Sequence, residues 1–206
     1  MCARCGARST LEWEERGDTT LMTAFVRTFL ESVRWPGALG TRLCEVGHGA
    51  AAFGYAVFSS LVGLLPLSFV VTALLVLVAD AHRLGLRSTS VLTIAVLSLL
   101  SPLAASVLFG LSLALWALLL WGAARSLGSR MRYDRLLRLS SYGTSLVALP
   151  LLGPLLLPVA VLMMLWTVFH ALLPSLGGAR AGLTLAASAT PFGLLAWGAW
   201  ALRAGR

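Results

Sequence analysis

The sequence has few charged residues, and its basic residues include no lysine. Charged side chains make up 12% of the 206 residues, whereas hydrophobic ones make up 58%. A soluble domain of this length has too small a core to hide so much apolar surface. The net charge of +8 comes from arginines that flank apolar runs and form no patch on a polar domain. The composition therefore argues against a soluble protein, and we expect no nucleic-acid partner.

Cysteine is also scarce. Cys2, Cys5 and Cys44 give an odd count and lie outside the apolar runs, so we expect a reducing cytoplasmic environment and no disulfide framework. Cys2 and Cys5 have the spacing of half a zinc site, and the nearest further ligands are Cys44 and His48. The main expectation is no cofactor, and zinc binding at Cys2 and Cys5 is the alternative.

Catalytic motifs are missing. The sequence contains no phosphate-binding P-loop, no HExxH or GxSxG motif and no catalytic pair of carboxylates. Its long apolar stretches contain no Asp, Glu, Lys or Arg, which ion-coupled transporters and proton relays need at mid-membrane. Serines in these stretches have no base in reach. We therefore expect no enzyme and no catalytic residues.

What the chain does have is four long stretches without a charged side chain. They cover Gly49–Ala79, Ser88–Ala124, Leu139–Phe169 and Ala181–Leu202. About 20 apolar residues are enough for a helix to cross the hydrocarbon core. Backbone that touches lipid must be helical, because no water is present to satisfy its polar groups. The predicted fold class is all-α, a polytopic helical membrane protein.

The third stretch contains enough helix-breaking residues to turn the chain back on itself. These are Pro150, Gly153, Pro154 and Pro158. Pro66 and Pro102 are instead expected to kink single long helices. The prediction is five spans, at about 50–79, 91–124, 138–150, 155–173 and 182–202. A break at Pro66 would make six.

Residues 1–47 are predicted to form a cytoplasmic leader ahead of a transmembrane domain over 48–206. Met1–Gly17 reads as a loop, and Asp18–Arg34 as an amphipathic helix capped by Asp18 or Thr19. Apolar residues fall on one face of this helix and polar ones on the other. The apolar face comprises Met22, Phe25, Val26, Phe29, Leu30 and Val33. We favour packing of this face on the bundle over free lipid binding.

The segment between the second and third spans is rich in arginine. It carries Arg125, Arg130, Arg132, Arg135 and Arg138. Only Asp134 opposes them, so the positive-inside rule predicts that this segment and the amino terminus are cytoplasmic. The five arginines are the candidate surface for lipids, anionic ones in particular, or for a partner, at about 1 kcal/mol each near anionic lipid. The competing interpretation is that they only set topology.

Two further patterns concern the spans. Tyr133 and Tyr142 lie near predicted span ends, as in an interfacial aromatic belt. A row of small residues recurs every fourth position in the second span: Pro102, Ser106, Gly110 and Ala114. Such a row lets another helix approach closely. Internal packing is the favoured interpretation, and a homo-oligomer face is the alternative.

The run from Leu127 to Trp166 resembles the Yip-domain (Ypt/Rab-interacting-protein-like) family of multi-span membrane proteins. Members of this family have, in order, a pair of glycines, a basic stretch, an aromatic third span that ends in proline, and then a glycine and a tryptophan. Each of these features has a counterpart in this sequence, in the same order. These are Gly128 (with Ser129 in place of the second glycine), Arg135, Arg138, Tyr142, Pro150, Gly153 and Trp166. The leader residues Trp13–Arg16 are also similar to what precedes the domain in bacterial members. The resemblance covers roughly residues 12–202.

This resemblance implies five spans and a cytoplasmic amino terminus. It also implies that Cys2 and Cys5 are a remnant of a longer zinc ribbon. In eukaryotes it implies contact with small GTPases in vesicle traffic, and for bacterial members no established activity. The expected function is a non-enzymatic, membrane-organising or adaptor protein of the bacterial inner membrane, with a membrane-protein partner or a second copy as the candidate contact.

The alternative function is a passive permease or channel subunit for small solutes. It needs a polar path through the bundle, and hydroxyl-bearing residues of the first two spans could supply one. These are Ser59, Ser60, Ser68, Thr72, Ser98, Ser101, Ser106 and Ser112. Hydroxyls in membrane helices usually bond to backbone or to a neighbouring helix, so this function ranks second.

Overall fold

The computed structural model describes residues 11–14, 18–37, 39, 43, 48–81, 88–149, 152 and 155–190, and its long elements are all helices. The helices are α1 (Leu21–Arg34), α2 (Gly49–Ala81), α3 (Ser88–Ser126), α4 (Tyr133–Gly143) and α5 (Leu157–Leu176). A short 3₁₀ helix (Ser145–Ala148) follows α4, and α6 covers residues 178–190. The predicted all-α class is confirmed.

In the part of the chain that the structure describes, three helices are long and apolar enough to cross a membrane. The qualifying segments are Gly49–Leu74 of α2, Ser98–Ser126 of α3 and the whole of α5, which is consistent with an integral membrane protein. They correspond to the first, second and fourth predicted spans. Pro66 lies inside the continuous α2 and Pro102 inside the continuous α3, so a break at Pro66 is wrong.

The third predicted span, 138–150, is not a spanning helix. Helix α4 ends at Gly143 after 11 residues, a length of about 16 Å against a hydrocarbon core of about 30 Å. The hydroxyls of Ser140, Thr144 and Ser145 donate to backbone carbonyls of the preceding turn, which competes with helix continuation. Of the fifth predicted span, 182–202, α6 covers the beginning, and residues 191–202 lie outside the described part. The described residues thus contain three candidate spans where five were predicted.

Close backbone contacts through glycine hold the bundle together. A Cβ on Gly63 of α2 would lie 1.9 Å from the carbonyl oxygen of Val147 in the 3₁₀ helix. A Cβ on Gly143 would lie 2.7 Å from Cα of Met164 in α5, and one on Gly110 of α3 would lie 2.7 Å from Val57. Gly110 belongs to the predicted row of small residues and faces α2, which confirms internal packing. Helix α4 and the 3₁₀ helix are therefore enclosed by α2 and α5.

Helix α1 begins at Leu21, one residue later than a cap at Thr19 would place its start. Thr20, rather than Asp18 or Thr19, is the N-cap, and its side-chain oxygen accepts from the backbone N–H of Thr23 at 3.3 Å. The helix ends at Arg34, because Trp35 precedes Pro36 and is pushed out of the helical region. The boundaries differ little from those predicted.

The apolar side of α1 divides into two faces. Ala24, Phe25, Thr28 and Ser32 are buried, so the helix packs on the bundle, but through a face that shares only part of the predicted apolar one. Met22, Val26 and Leu30 point away, with Met22 and Leu30 58% and 57% exposed. The ring of Phe25 lies against Tyr55 and Phe58, inside the candidate span of α2, so the outward apolar face lies alongside a candidate membrane-spanning segment. The exposed charged residues of α1, such as Arg27 and Glu31, form a third face.

The contact at Gly63 predicts a large effect of one methyl group. We expect Gly63→Ala to lower the free energy of unfolding by about 1–3 kcal/mol, because the new Cβ forces α2 away from the 3₁₀ helix. Gly54→Ala in the same helix is the matched control: its Cβ would meet nothing within 4 Å, and alanine favours helix by about 1 kcal/mol. Denaturant unfolding in detergent measures both. Equal midpoints for the two variants would contradict the close approach.

The three faces of α1 predict opposite environments for adjacent residues. Spin labels at Val26 and Leu30, in a background without the native cysteines, are expected to collide mainly with oxygen, which concentrates in lipid. Labels at Arg27 and Glu31 are expected to collide mainly with a water-soluble nickel complex. Electron paramagnetic resonance in liposomes measures both rates. Preferential collision with nickel at all four positions would show that α1 lies in water.

Candidate functional site

Residues 11–14, here called the leader turn, dock into the bundle through Trp13. The buried indole packs on Phe25 of α1 and on Tyr55 and Phe58 of α2, at ring-centroid distances of 6.1, 5.5 and 5.6 Å. The Trp13 backbone N–H donates to Thr28 Oγ1 at 3.1 Å. Its indole N–H donates to the carbonyl oxygen of Ala51 at 2.7 Å. The leader turn is thus wedged between α1 and the first turns of α2.

This docking carries a carboxylate into the bundle. Glu14 Oε1 accepts from Arg138 Nε at 2.5 Å, and Glu14 Oε2 accepts from Arg138 Nη2 at 2.6 Å. The Tyr142 hydroxyl donates to Glu14 Oε1 at 2.8 Å. Both charged side chains are 0% exposed. These three residues, here called the latch, form a buried bidentate ion pair with a third donor, the stronger class of hydrogen-bonded pair.

Helix periodicity explains why Arg138 and Tyr142 act together. They are four residues apart on α4, so their side chains lie on one face, one turn apart. The Tyr142 ring packs on Tyr55 with centroids 5.0 Å apart, and the Tyr55 hydroxyl hydrogen-bonds with Ser145 Oγ at 3.0 Å. Burial, followed by the charge of Glu14, raises the pKa of Tyr142 well above its ordinary value. The phenol therefore remains protonated and a donor at neutral pH.

The structure separates the predicted arginine surface into two parts. Arg138 is fully buried in the latch, so its assignment to a lipid- or partner-binding surface is wrong. The exposed members are Arg125, Arg130 and Arg132, here called the arginine face, and Arg135 is half-buried. The Arg125 guanidinium lies over the Trp121 ring, 5.6 Å from its centroid, and Arg132 approaches Asp134 at 3.5 Å.

The arginine face and the leader turn lie at the same end of the bundle. Asp134, in the first turn of α4, lies 3.0 Å from the position of a Cβ on Gly49, the first residue of α2. A carboxylate at this position also interacts favourably with the amino-terminal end of the α2 dipole. The leader turn binds Ala51, within the same turn of α2. The start of α2, the start of α4 and the leader turn therefore meet.

The described residues contain neither of the predicted zinc ligands Cys2 and Cys5. Within the described ranges, no group of three or more His, Cys, Asp or Glu residues is arranged to hold a metal ion. Cys2, Cys5 and Cys44 lie outside those ranges, and His48 is exposed at the start of α2. Zinc binding at Cys2 and Cys5 stays a prediction.

Three of the hydroxyls that a permease would need are bonded within their own helices. Ser60, Ser68 and Ser112 donate to the carbonyls of Val57, Leu65 and Leu108 at 3.0, 2.7 and 2.8 Å. Ser59 and Ser106 are buried, and neither hydroxyl has a hydrogen-bond partner within the described part of the chain. The permease function stays a prediction.

Comparison of the chain with known protein families, curated proteins and solved structures finds no match. The resemblance to the Yip-domain family therefore stays a prediction. Sequence reasoning missed the latch, since it placed Tyr142 in an aromatic belt and Glu14 in the loop of a cytoplasmic leader. The available signal was an arginine and a tyrosine four residues apart at the edge of an apolar stretch.

The latch predicts unequal roles for two glutamates of the same turn. We expect Glu14→Gln to lower the free energy of unfolding by about 3–5 kcal/mol, because it removes the carboxylate from a fully buried, bidentate ion pair. Glu12 is the matched control. It pairs with Arg27 at 2.8 Å, but these side chains are 30% and 60% exposed, so Glu12→Gln should cost about 0–1 kcal/mol. Denaturant unfolding of both variants in detergent measures the difference, and similar midpoints would contradict the buried pair.

Proposed function

We propose that this protein is a non-enzymatic integral membrane protein with a membrane-organising or adaptor role of the Yip-domain type. Its location would be the bacterial inner membrane, with the amino terminus in the cytoplasm. The observation that carries the proposal is the exposed arginine face beside the docked leader turn at one end of the bundle. This end would be the working surface toward anionic lipid headgroups or an acidic partner.

The helix arrangement supports a common side for the leader and the arginine face. If α2 and α3 each cross the membrane once, residues before 49 and after 126 return to the same side. The contacts between Trp13 and Ala51 and between Asp134 and Gly49 require the same arrangement. The excess of arginine after α3 then favours the cytoplasm for both.

The electrostatics of the arginine face also support a surface role. Three exposed arginines would each contribute about 1 kcal/mol toward an anionic membrane surface. Asp134 faces Arg132 and offsets part of this charge. The contribution decays over a screening length of about 8 Å at physiological salt, so a partner must come close to the helix ends.

Photo-crosslinking in intact cells tests this proposal. A photoreactive amino acid at Ser126, which is exposed beside Arg125, is expected to capture a discrete protein or anionic lipid. The same residue at Leu108, on the exposed flank of the α3 span, is the control for bulk lipid. We expect the capture at position 126 to be lost when Arg125, Arg130 and Arg132 are changed to Gln. It should persist in Arg180→Gln, which removes one exposed arginine outside the face.

The outcomes separate the two forms of the proposal. A charge-dependent protein adduct supports an adaptor, and a charge-dependent enrichment of anionic lipid supports a membrane-organising role. Identical adducts at positions 126 and 108, unchanged by the triple substitution, would remove the support for a working arginine face.

A further inference from the structure

A groove of about 280 Å³ lies between α3 and α5, within their candidate spans. Aromatic and aliphatic side chains form most of its lining: Phe109, Leu113 and Trp116 of α3, and Val161, Met164 and Leu165 of α5. Ser112 of α3 and Ala189 of α6 complete the lining. None of these side chains is charged, so the groove differs in character from both the latch and the arginine face.

The groove follows from the way the two helices pack. Helices α3 and α5 both pack closely on α4, and they approach each other less closely. On one side of α4, Gly143 lies against Met164 of α5. Toward the end of the bundle that carries the arginine face, α3 and α5 converge. There Ser129, just after α3, hydrogen-bonds with Ser175 of α5 at 3.4 Å, and Leu120 is fully buried. The helices are therefore joined at that end and separated where the groove lies.

The lining offers little to a polar ligand. The hydroxyl of Ser112 already donates to the carbonyl oxygen of Leu108 at 2.8 Å, which leaves the indole N–H of Trp116 as the remaining polar hydrogen among the lining side chains. One N–H without a charged group does not compensate for the desolvation of a polar molecule. An apolar space of this kind also holds no ordered water, and an empty one forfeits dispersion contacts. The occupant that the groove fits is therefore apolar.

The size and shape of the groove favour a single hydrocarbon chain. From Phe109 to Trp116 it extends about 10 Å along α3, and membrane helices tilt only about 20° from the bilayer normal, along which lipid chains extend. An apolar cavity of about 150 Å³ holds one benzene ring, so this groove has room for about twice that ligand. A helix is about 10 Å across with its side chains, so the same length of helix would fill about 800 Å³. A helix of a second copy is therefore too large.

The groove opens toward the surface that a bilayer would cover. Ser112, which lies at the middle of the candidate span Ser98–Ser126, is exposed, and so is Val161 on the opposite wall. Beside the groove, Leu108 and Leu162 are 63% and 65% exposed. We infer that the groove binds one acyl chain of a membrane lipid, with the distal part of the chain between α3 and α5. This site does not depend on the arginine face.

Photolabelling from the lipid tests this inference on the full-length protein. The probe is a phospholipid with a diazirine in the distal half of one acyl chain, reconstituted with the protein in liposomes. Illumination in liposomes should label both the groove and the exposed leucines beside it, Leu108 and Leu162. After extraction and washing in lipid-free detergent, illumination should still label Trp116 and Leu165 in the groove, whereas labelling of the two leucines should be lost. Peptide mass spectrometry locates the adducts.

Two substitutions fill the groove from different helices. Ala189→Phe and Ser112→Phe should each abolish the labelling of Leu165 that survives washing. Ala186→Phe is the matched control, because Ala186 is also exposed on α6 but does not line the groove, and it should retain the labelling. Unchanged labelling of Leu162 in liposomes shows that each variant is still inserted. The same chain on a zwitterionic and on an anionic headgroup should label the groove equally.

The inference is overturned if groove residues are not labelled in liposomes, since a segment such as 191–202 or a second copy would then cover them. It is also overturned if washing removes the label from the groove and from the flanking leucines alike, or if either filled variant is inserted and keeps the labelling. Labelling that requires the anionic headgroup would assign recognition to the headgroup and overturn a site for the chain.

Discussion

The buried pair between Glu14 and Arg138 is the interaction on which the arrangement of the helices depends. Removing two charges from water is unfavourable, and attraction in the interior compensates only when geometry is good and the remaining polar groups are bonded. The bidentate contact and the hydroxyl of Tyr142 meet this condition. Because the sequence contains no asparagine, glutamine or lysine, buried polar contacts in this bundle fall to arginine, carboxylates and hydroxyls.

The latch also constrains where α4 can lie. A helix that carries Arg138 and several serines cannot face hydrocarbon, so it must be enclosed by other helices. Glycines at 63 and 143 make that enclosure tight enough for backbone to approach backbone. Irregular backbone after Gly143 is tolerated at membrane depth only under such cover. The buried charge and the close glycine contacts therefore both place α4 and its 3₁₀ extension inside the bundle.

Patterns within a single segment of sequence predicted the helices whose formation depends on that segment alone. Charge-free length identified α2, α3 and α5 as candidate spans, and the 3.6-residue period identified α1 to within three residues. Thr20 was missed as the cap because Asp18 and Thr19 have equally suitable side chains and only the geometry decides. The end of α4 at Gly143 depends on serine and threonine hydroxyls that compete for backbone carbonyls, a feature that hydropathy does not measure.

The latch itself could not be read from the sequence, because nothing periodic relates Glu14 to a residue on α4. The same difficulty affects the arginines. A count of charges after α3 treats Arg132 and Arg138 alike, yet α4 begins at Tyr133 and places Arg138 inside the bundle and Arg132 outside. Arg138, which the positive-inside rule counts, is therefore neutralised by Glu14 of the leader. The leader docks at the end of the bundle that the remaining arginines mark, so the contact geometry places the leader and the exposed arginines together.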